Sequence, residues 1–268
     1  MVAQPQSCRG HARARTGHAE RATPGQLIDR RILIDASTLA RRTVALARQE
    51  LGLLVLIALL GGALWAFLEL ADEVLEGETR AIDEAVLLAL RTPGDPADPL
   101  GPGWLEEIGR DATALGGLGV LTFIAVVAVV YLMLARKGRA AVFVAASVAG
   151  GITLSLLLKA GFDRPRPDLV PHGSIVYTTS FPSGHSMMSA LVYLTLGALL
   201  ARLQPERRLK VFVIAIAALV TIAVGVSRVY LGVHWPTDVL AGWAAGAAWA
   251  ILSWAIVLWL QRHRHVET

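Results

Sequence analysis

The residues best suited to chemistry are grouped in three short segments, each next to a long apolar stretch of the chain. The segments cover residues 159–167, 181–185 and 227–238. They contain basic side chains, which bind phosphate, and imidazole and carboxylate groups, which can attack phosphorus, carry protons or orient one another. Cations collected beside apolar spans need a reason, and a shared anionic ligand explains them together.

The first segment presents two arginines on a stiff backbone. Pro165 and Pro167 each restrict their own φ and bias Arg164 and Arg166 toward an extended conformation. A guanidinium group offers paired donors that match phosphate geometry, and it stays charged at physiological pH. Lys159 opens the segment and adds a third cation. Arg-Pro pairs are common in loops, so this segment alone does not define a site.

The second segment, Phe181 to His185, lies directly before the fourth apolar stretch. The backbone N–H groups of Ser183, Gly184 and His185 therefore fall near a helix N-terminus, which favours anions. Gly184 has no side chain to block close approach, and the Ser183 hydroxyl can add a donor. An ordinary cap made by Ser183 or Ser186 also explains the serines and the glycine. It gives no reason for His185.

In the third segment, His234 stands four residues before Asp238, at the mouth of a helix that we expect to begin near Pro236. A carboxylate that accepts the Nδ1 proton holds the imidazole in one tautomer and leaves Nε2 free to attack, as in a catalytic triad. Arg228 adds a cation at the end of the preceding apolar stretch. An isolated His-x-x-x-Asp pair is more often a helix cap, so the pair gains weight only beside the other segments.

Composition places the three segments in a membrane protein. The 268 residues are 54% hydrophobic and 17% charged, and the mean hydropathy is +0.55. Six charge-free stretches approach the roughly 20 apolar residues that a spanning helix needs. A soluble chain of this size has too few polar helical faces to cover them. We therefore predict an all-α fold, a bundle of six transmembrane helices over about 51–70, 115–135, 140–159, 186–202, 211–229 and 238–260.

The distribution of basic residues predicts the orientation of this bundle. Of the 25 Lys and Arg residues, 18 fall in the N-terminal tail, in two connections and after the last span. The positive-inside rule then places both termini in the cytoplasm and the three segments on the extracytoplasmic side of the cell membrane. The expected organisation is a basic, mostly disordered cytoplasmic tail over 1–48, a membrane domain over 49–262 and a cytoplasmic tail over 263–268.

Net charge and cysteine content limit the partners. A formal charge of +4 and a pI near 9.6 would suggest nucleic acid for a soluble protein, but in a membrane protein the location of the charges matters more than their sum. We therefore expect the bilayer and no nucleic acid as partner. Cys8 is the single cysteine, which excludes an intrachain disulfide and a cysteine-based metal cluster. The sequence does not indicate an oligomeric state.

The first external connection, residues 69–114, carries twelve acidic and three basic residues. Within it, apolar residues recur at helical spacing, which predicts a helix on the outer surface; they are Ile82, Val86, Leu87 and Leu90. Such a helix could lie beside a lipid headgroup, or it could pack on the bundle without touching substrate. The sequence leaves both interpretations open.

Together the three segments resemble the type 2 phosphatidic acid phosphatase family, which includes bacterial undecaprenyl-diphosphate and phosphatidylglycerophosphate phosphatases. The family pattern is Lys-x6-Arg-Pro, then Pro-Ser-Gly-His, then Ser-Arg-x5-His-x3-Asp. Every position of the pattern is present, at Lys159, Arg166, Pro167, Pro182, Ser183, Gly184, His185, Ser227, Arg228, His234 and Asp238. The resemblance covers residues 159–238 specifically and the six apolar stretches loosely, and it does not cover the tail.

The resemblance implies a phosphatase that acts on a lipid phosphate or diphosphate through a phosphohistidine, without a metal or another cofactor. It implies His234 as the nucleophile, Asp238 as its orienting partner and His185 as the acid that protonates the leaving oxygen. The phosphate cradle that it implies consists of Lys159, Arg166, Ser183, Gly184 and Arg228. Undecaprenyl diphosphate, phosphatidylglycerophosphate and phosphatidate are all candidate substrates.

Two questions stay open at this stage. A six-helix lipid transporter or scramblase would place the same basic cradle at the membrane edge without hydrolysis, although it would not need two histidines and an aspartate as well. The second question concerns the doubled Arg-Pro. Only Arg166 has the family spacing from Lys159, so we expect Arg164 to pair with Asp163, Asp168 or a lipid headgroup.

Overall fold

The computed structural model describes residues 51–174 and 178–264. The predicted tail over 1–48 and the last four residues of the chain lie outside the described residues. The described chain is mainly helical and has one small antiparallel hairpin, β1 (Arg91–Thr92) with β2 (Asp95–Pro99). The helices are α1 (Leu51–Glu76), α2 (Arg80–Ala89), α3 (Gly103–Ala114), α4 (Leu118–Leu134), α5 (Gly138–Gly161), α6 (Gly184–Leu203), α7 (Arg207–Tyr230) and α8 (Pro236–Arg264).

Five of these helices, α1, α5, α6, α7 and α8, are long and apolar enough to cross a membrane. The remaining predicted span, over 115–135, is shorter than expected. It corresponds to α4, which has 17 residues and forms a pair with α3 that is bent by 48°. Two consecutive glycines lie at the bend. A β-carbon on Gly116 would stand 2.3 Å from Val224 Cγ1, so the bend fits tightly against α7. The prediction of an all-α membrane bundle is confirmed.

Helix α6 is the centre of the bundle. It packs against α4, α5, α7 and α8, and its inner face joins apolar side chains of α4 and α5 in one buried cluster that includes Leu121, Val144, Met188 and Leu191. Large apolar side chains on the outer faces of the other helices stay exposed, as Phe123 and Leu219 do. A hydrocarbon surrounding accommodates such side chains without a further protein layer.

The start of α8 lies against the start of α6 because two glycines leave room. A β-carbon on Gly242 would stand 2.6 Å from the carbonyl oxygen of Ser183, and one on Gly246 would stand 2.3 Å from that of Met187. Both distances are far below van der Waals contact. Gly242 and Gly246 are therefore the positions at which the two helices approach closely.

The predicted outer-surface helix is present as α2, but its buried face differs from the apolar one. Leu87 is fully buried against side chains at the ends of α7 and α8, whereas Ile82 and Val86 are exposed. Asp83, one turn before Leu87, is also fully buried. The helix thus packs on the bundle through Leu87.

Candidate active site

The three chemical segments meet at one end of the bundle, since α5 and α7 end where α6 and α8 begin. Lys159 lies in the last turn of α5, and Arg228 lies in the last turn of α7. Gly184 is the first residue of α6, and Asp238 lies in the first turn of α8. The helix ends thus collect side chains that are far apart in sequence.

A cavity of about 370 Å³ opens between these helix ends. Of the eight predicted site residues, six line it, namely Lys159, Arg166, Gly184, His185, Arg228 and His234. Its remaining wall is largely apolar and includes Leu118, Ile152, Leu156 and Met188. Ser183 and Asp238 do not line the cavity and lie behind its wall. The cavity therefore has a cationic side and a hydrocarbon side.

His234 makes different contacts through its two ring nitrogens. Nδ1 lies 3.3 Å from Oδ2 of Asp238, and Nε2 lies 3.2 Å from Nη1 of Arg166. A guanidinium group only donates hydrogen bonds, so Nε2 must accept and Nδ1 must carry the proton. The same Asp238 oxygen accepts bonds from the Ser180 hydroxyl and from the N–H of Trp235, at 2.5 and 3.0 Å. This is the tautomer that leaves Nε2 available for attack.

The surroundings of His234 keep it neutral. Its ring is almost fully buried, and this burial lowers the pKa of His234 to about 4. The Asp238 carboxylate opposes the shift, while the cations of Arg166 and Arg228 reinforce it. A neutral imidazole is the form that can act as a nucleophile.

Three cations border the cavity without a carboxylate partner among the described residues. Lys159 Nζ donates to the carbonyl oxygen of Thr179 at 2.8 Å, and Arg166 Nη1 donates to that of Val233 at 2.7 Å. Arg228 Nη1 donates to the Thr113 hydroxyl at 2.8 Å. The Nε of Arg228 is buried and finds no acceptor within the described part of the chain. Three cations in this arrangement are suited to binding an anion.

The first turn of α6 completes the cationic side. Ser183 caps the helix, because its Oγ accepts hydrogen bonds from the backbone N–H and the hydroxyl of Ser186. Its own N–H donates to the carbonyl oxygen of Asp238 at 2.9 Å. Ser183 thus caps α6, and it is not among the residues that line the cavity. A β-carbon on Gly184 would lie 3.3 Å from Lys159 Cε, so a larger residue there would press on Lys159.

Arg164 was expected to pair with Asp163, Asp168 or a headgroup, and this expectation was wrong. It lies behind His234, with Nη1 2.6 Å from Oδ1 of Asp238 and Nη2 2.7 Å from Oδ2 of Asp83. Asp163, the chain neighbour of Arg164 on this extended segment, points in another direction. The start of α8 and the buried face of α2 instead bring their carboxylates to the guanidinium group.

The sequence reasoning missed other residues behind His234. Asp83, Ser180 and Thr237 all bond to the groups that surround Asp238. One signal was available for Asp83, a carboxylate one helical turn before the apolar Leu87 on a helix with a predicted buried face. Ser180 and Thr237 carry no such signal, since short hydroxyl side chains are common at turns and helix starts.

The chain is similar in sequence to several known proteins. Residues 140–262 match the PAP2 superfamily. Phosphatidylglycerophosphatase B of Bacillus subtilis is 34% identical over 183 residues, which cover 67% of this chain and 85% of that protein. An undecaprenyl-diphosphatase of Sulfolobus acidocaldarius is 39% identical over 74 residues, covering 28% of this chain and 32% of that protein. A lipid A 1-phosphatase of Rhizobium johnstonii is 39% identical over 109 residues, covering 37% and 41%.

A solved structure extends the similarity to the fold. The crystal structure of a transmembrane PAP2-type phosphatidylglycerolphosphate phosphatase from Bacillus subtilis superposes with a TM-score of 0.67 and 30% identity, covering 74% of this chain and 94% of that one. Sequence and fold thus agree over most of both proteins. The chain belongs to the PAP2 superfamily, in its group of multi-pass membrane lipid phosphatases.

Proposed function

We propose that this protein hydrolyses a phosphomonoester or diphosphate of a lipid through a phosphohistidine on His234, without a metal ion. The observation that carries the proposal is one cavity in which two histidines and three cations, which have no carboxylate partner within residues 51–174 and 178–264, face an apolar wall. The cations can bind the phosphate oxygens, and the neutral imidazole can attack the phosphorus. The apolar wall can contact a lipid tail.

In the first step, His234 Nε2 attacks phosphorus in line with the leaving lipid oxygen. A P–N bond forms as the P–O bond breaks, and His185 gives its proton to the leaving oxygen. Asp238 holds the Nδ1 proton and offsets the positive charge that develops on the ring. The lipid alcohol, or the lipid monophosphate if the substrate is a diphosphate, is the first product.

In the second step, water attacks the phosphohistidine. His185, now neutral, takes a proton from this water, the P–N bond breaks and inorganic phosphate leaves. Both steps place charge on the same equatorial oxygens. Three cations and the N–H groups at the start of α6 stabilise this charge, which is the role that a metal ion has in other phosphatases.

The apolar wall favours an amphiphilic substrate. Leu118 and Leu156 line the cavity and are also 58% and 63% exposed on the outside of the helices. A lipid tail can thus stay among hydrocarbon-facing side chains while its phosphate enters the cationic side. A relative that is 34% identical over 183 residues is named for phosphatidylglycerophosphate, so we propose that lipid as the first substrate to test. We also propose that the cavity faces the extracytoplasmic side of the cell membrane, from the charge bias of the connections.

A substrate panel with purified protein in detergent tests the proposal. Phosphatidylglycerophosphate, undecaprenyl diphosphate and phosphatidate are offered in excess EDTA, and released phosphate is measured. We expect phosphate release from at least one of them, unchanged by EDTA. Loss of turnover in EDTA with recovery in Mg²⁺ or Zn²⁺ contradicts the metal-free mechanism. Lipid movement in vesicles without phosphate release from any substrate would favour the transporter alternative instead.

A further inference from the structure

Asp83 is a fully buried carboxylate outside all three chemical segments. It lies on α2, and each of its oxygens is used. Oδ1 accepts the backbone N–H of Thr237 at 3.0 Å. Oδ2 accepts the Thr237 hydroxyl and Nη2 of Arg164, both at 2.7 Å. Asp83 therefore holds the first turn of α8 and one arm of Arg164 at the same time.

Arg164 connects this carboxylate to the second one. Its Nη1 donates to Oδ1 of Asp238 at 2.6 Å and to the Thr237 hydroxyl at 2.8 Å. The guanidinium group also lies 5.8 Å from the centre of the Trp235 ring. Because a guanidinium group is planar and rigid, fixing one arm at Asp83 fixes the direction in which the other arm reaches Asp238.

The two oxygens of Asp238 consequently have separate tasks. Oδ1 accepts from Arg164, and Oδ2 faces Nδ1 of His234. The contact of Arg164 with Oδ1, together with the Ser180 hydroxyl and the Trp235 N–H on Oδ2, fixes the rotation of the carboxylate, and this rotation sets the direction of the bond to the imidazole. None of Asp83, Arg164 and Asp238 lines the cavity, so this chain of charges can act only from behind the nucleophile.

We propose that Asp83 is a positioning residue for the nucleophile, acting through Arg164 and Asp238 on His234; the inference rests on the proposed function. The helix α2, which the sequence describes as part of an external connection, is then a working part of the active site. A purely structural anchor would not need the charge, because Leu87 already packs α2 against α8. Burying a carboxylate costs free energy unless a cation pairs with it, and Arg164 is the cation that pairs with Asp83.

The variant Asp83→Asn tests this inference with little change of shape. Its amide can still accept the Thr237 N–H, but its NH₂ group would face the donors of Arg164 and repel them. A second variant, Arg164→Lys, keeps the positive charge and cannot bridge both carboxylates. The control is Glu84→Gln, on the same helix, which removes only an exposed ion pair with Arg80. Activity is measured with the best lipid of the panel, and inorganic phosphate is used as a competitive inhibitor.

We expect both test variants to lower kcat about tenfold or more, while KM and the inhibition constant of phosphate stay within about threefold of wild type. The retained phosphate affinity shows that the cradle of Lys159, Arg166 and Arg228 is folded. Glu84→Gln should match wild type. The inference is overturned if Asp83→Asn or Arg164→Lys turns over like Glu84→Gln, or if phosphate affinity falls in parallel with kcat. Inactivity of the wild-type protein on every lipid contradicts the proposed function instead.

Discussion

His234 stands between two sets of charges that act on its two ring nitrogens. Behind it, Asp238 accepts the hydrogen bond from Nδ1–H and is itself held by Arg164. In front of it, Nε2 meets Arg166 at the edge of the cavity. Without a ligand, Arg166 contacts the lone pair of His234 Nε2. A phosphate whose oxygens bind Arg166 would therefore bring its phosphorus close to this lone pair. The proposed nucleophile, His234, and the proposed phosphate cradle are therefore adjacent, because the loop that carries Arg166 brings them together.

The low pKa of His234 predicts the acid limb of the pH profile. Burial favours the neutral ring and lowers its pKa to about 4, so protonation removes the nucleophile only at strongly acidic pH. After correction for the ionisation of the substrate phosphate, kcat/KM should show no acid limb near the usual histidine value of about 6.5. Measurement of kcat/KM against pH checks this. An acid limb at about 6.5 would contradict the assignment of a buried neutral nucleophile.

His185 has a different setting and should affect a different step. It lines the cavity at the start of α6, where the positive end of the helix discourages protonation until an anionic substrate is bound. His185→Gln should slow phosphoenzyme formation severely, by about a hundredfold, with a lipid substrate, because an alkoxide is a poor leaving group. With p-nitrophenyl phosphate the loss should be much smaller. Equal losses on the two substrates would show that His185 is not the acid.

At the scale of elements, the contact between α6 and α8 sets the distance between the anion site and the His–Asp pair. Ser183 and Asp238 are joined directly by a backbone hydrogen bond at this contact. Gly242 makes the approach possible, since a β-carbon there would stand 2.6 Å from backbone of α6. The backbone of a helix start cannot move aside as a flexible side chain can.

Gly242→Ala should therefore separate the two helix starts and reduce both stability and activity. Overpacking of this kind costs about 1–3 kcal/mol. The matched control is Gly119→Ala on α4, where a β-carbon meets nothing within 4 Å. Thermal unfolding in detergent and kcat/KM should both fall for Gly242→Ala and stay near wild type for Gly119→Ala. Identical behaviour of the two variants would contradict the importance of this contact.

The elements also show which features were readable from sequence. Long apolar stretches predicted the spans, because hydrophobic length is a local property of the sequence. The motif spacing predicted that Lys159, Arg166 and His234 belong to one site, and all three line one cavity. The pairing of Arg164 with Asp83 joins residues 81 positions apart, and the spacing of residues within a short segment cannot predict such a contact. The bend between α3 and α4 was missed for a similar reason, since it depends on the close fit of Gly116 against α7.

At the scale of the whole molecule, the bundle gives an active site at one end, and the charge bias predicts which side that end faces. The connections at the opposite end, residues 135–137 and 204–206, border basic residues, whereas the connection over 77–102 on the cavity side is acidic. From the positive-inside rule we propose that the cavity faces the outside. A phosphate released there would enter the extracytoplasmic space.

The single cysteine provides a test of this orientation. Cys8 belongs to the predicted cytoplasmic tail, outside the described residues, and should resist a membrane-impermeant maleimide in intact cells. It should react once the cells are permeabilised. In a Cys8→Ser background, Ala97→Cys on the exposed β2 strand should react in intact cells. Labelling of Cys8 before permeabilisation would reverse the predicted orientation.

The central claim is that phosphate passes through His234, and trapping the phosphoenzyme tests it most directly. The purified protein is mixed with a lipid substrate labelled in its phosphate and quenched within milliseconds. We predict an acid-labile phosphoenzyme that forms fast enough to account for turnover in the wild-type protein and is absent in His234→Gln, whereas Glu84→Gln forms it normally. A labelled enzyme that persists without His234, or turnover in which no labelled enzyme can be trapped, would contradict the account.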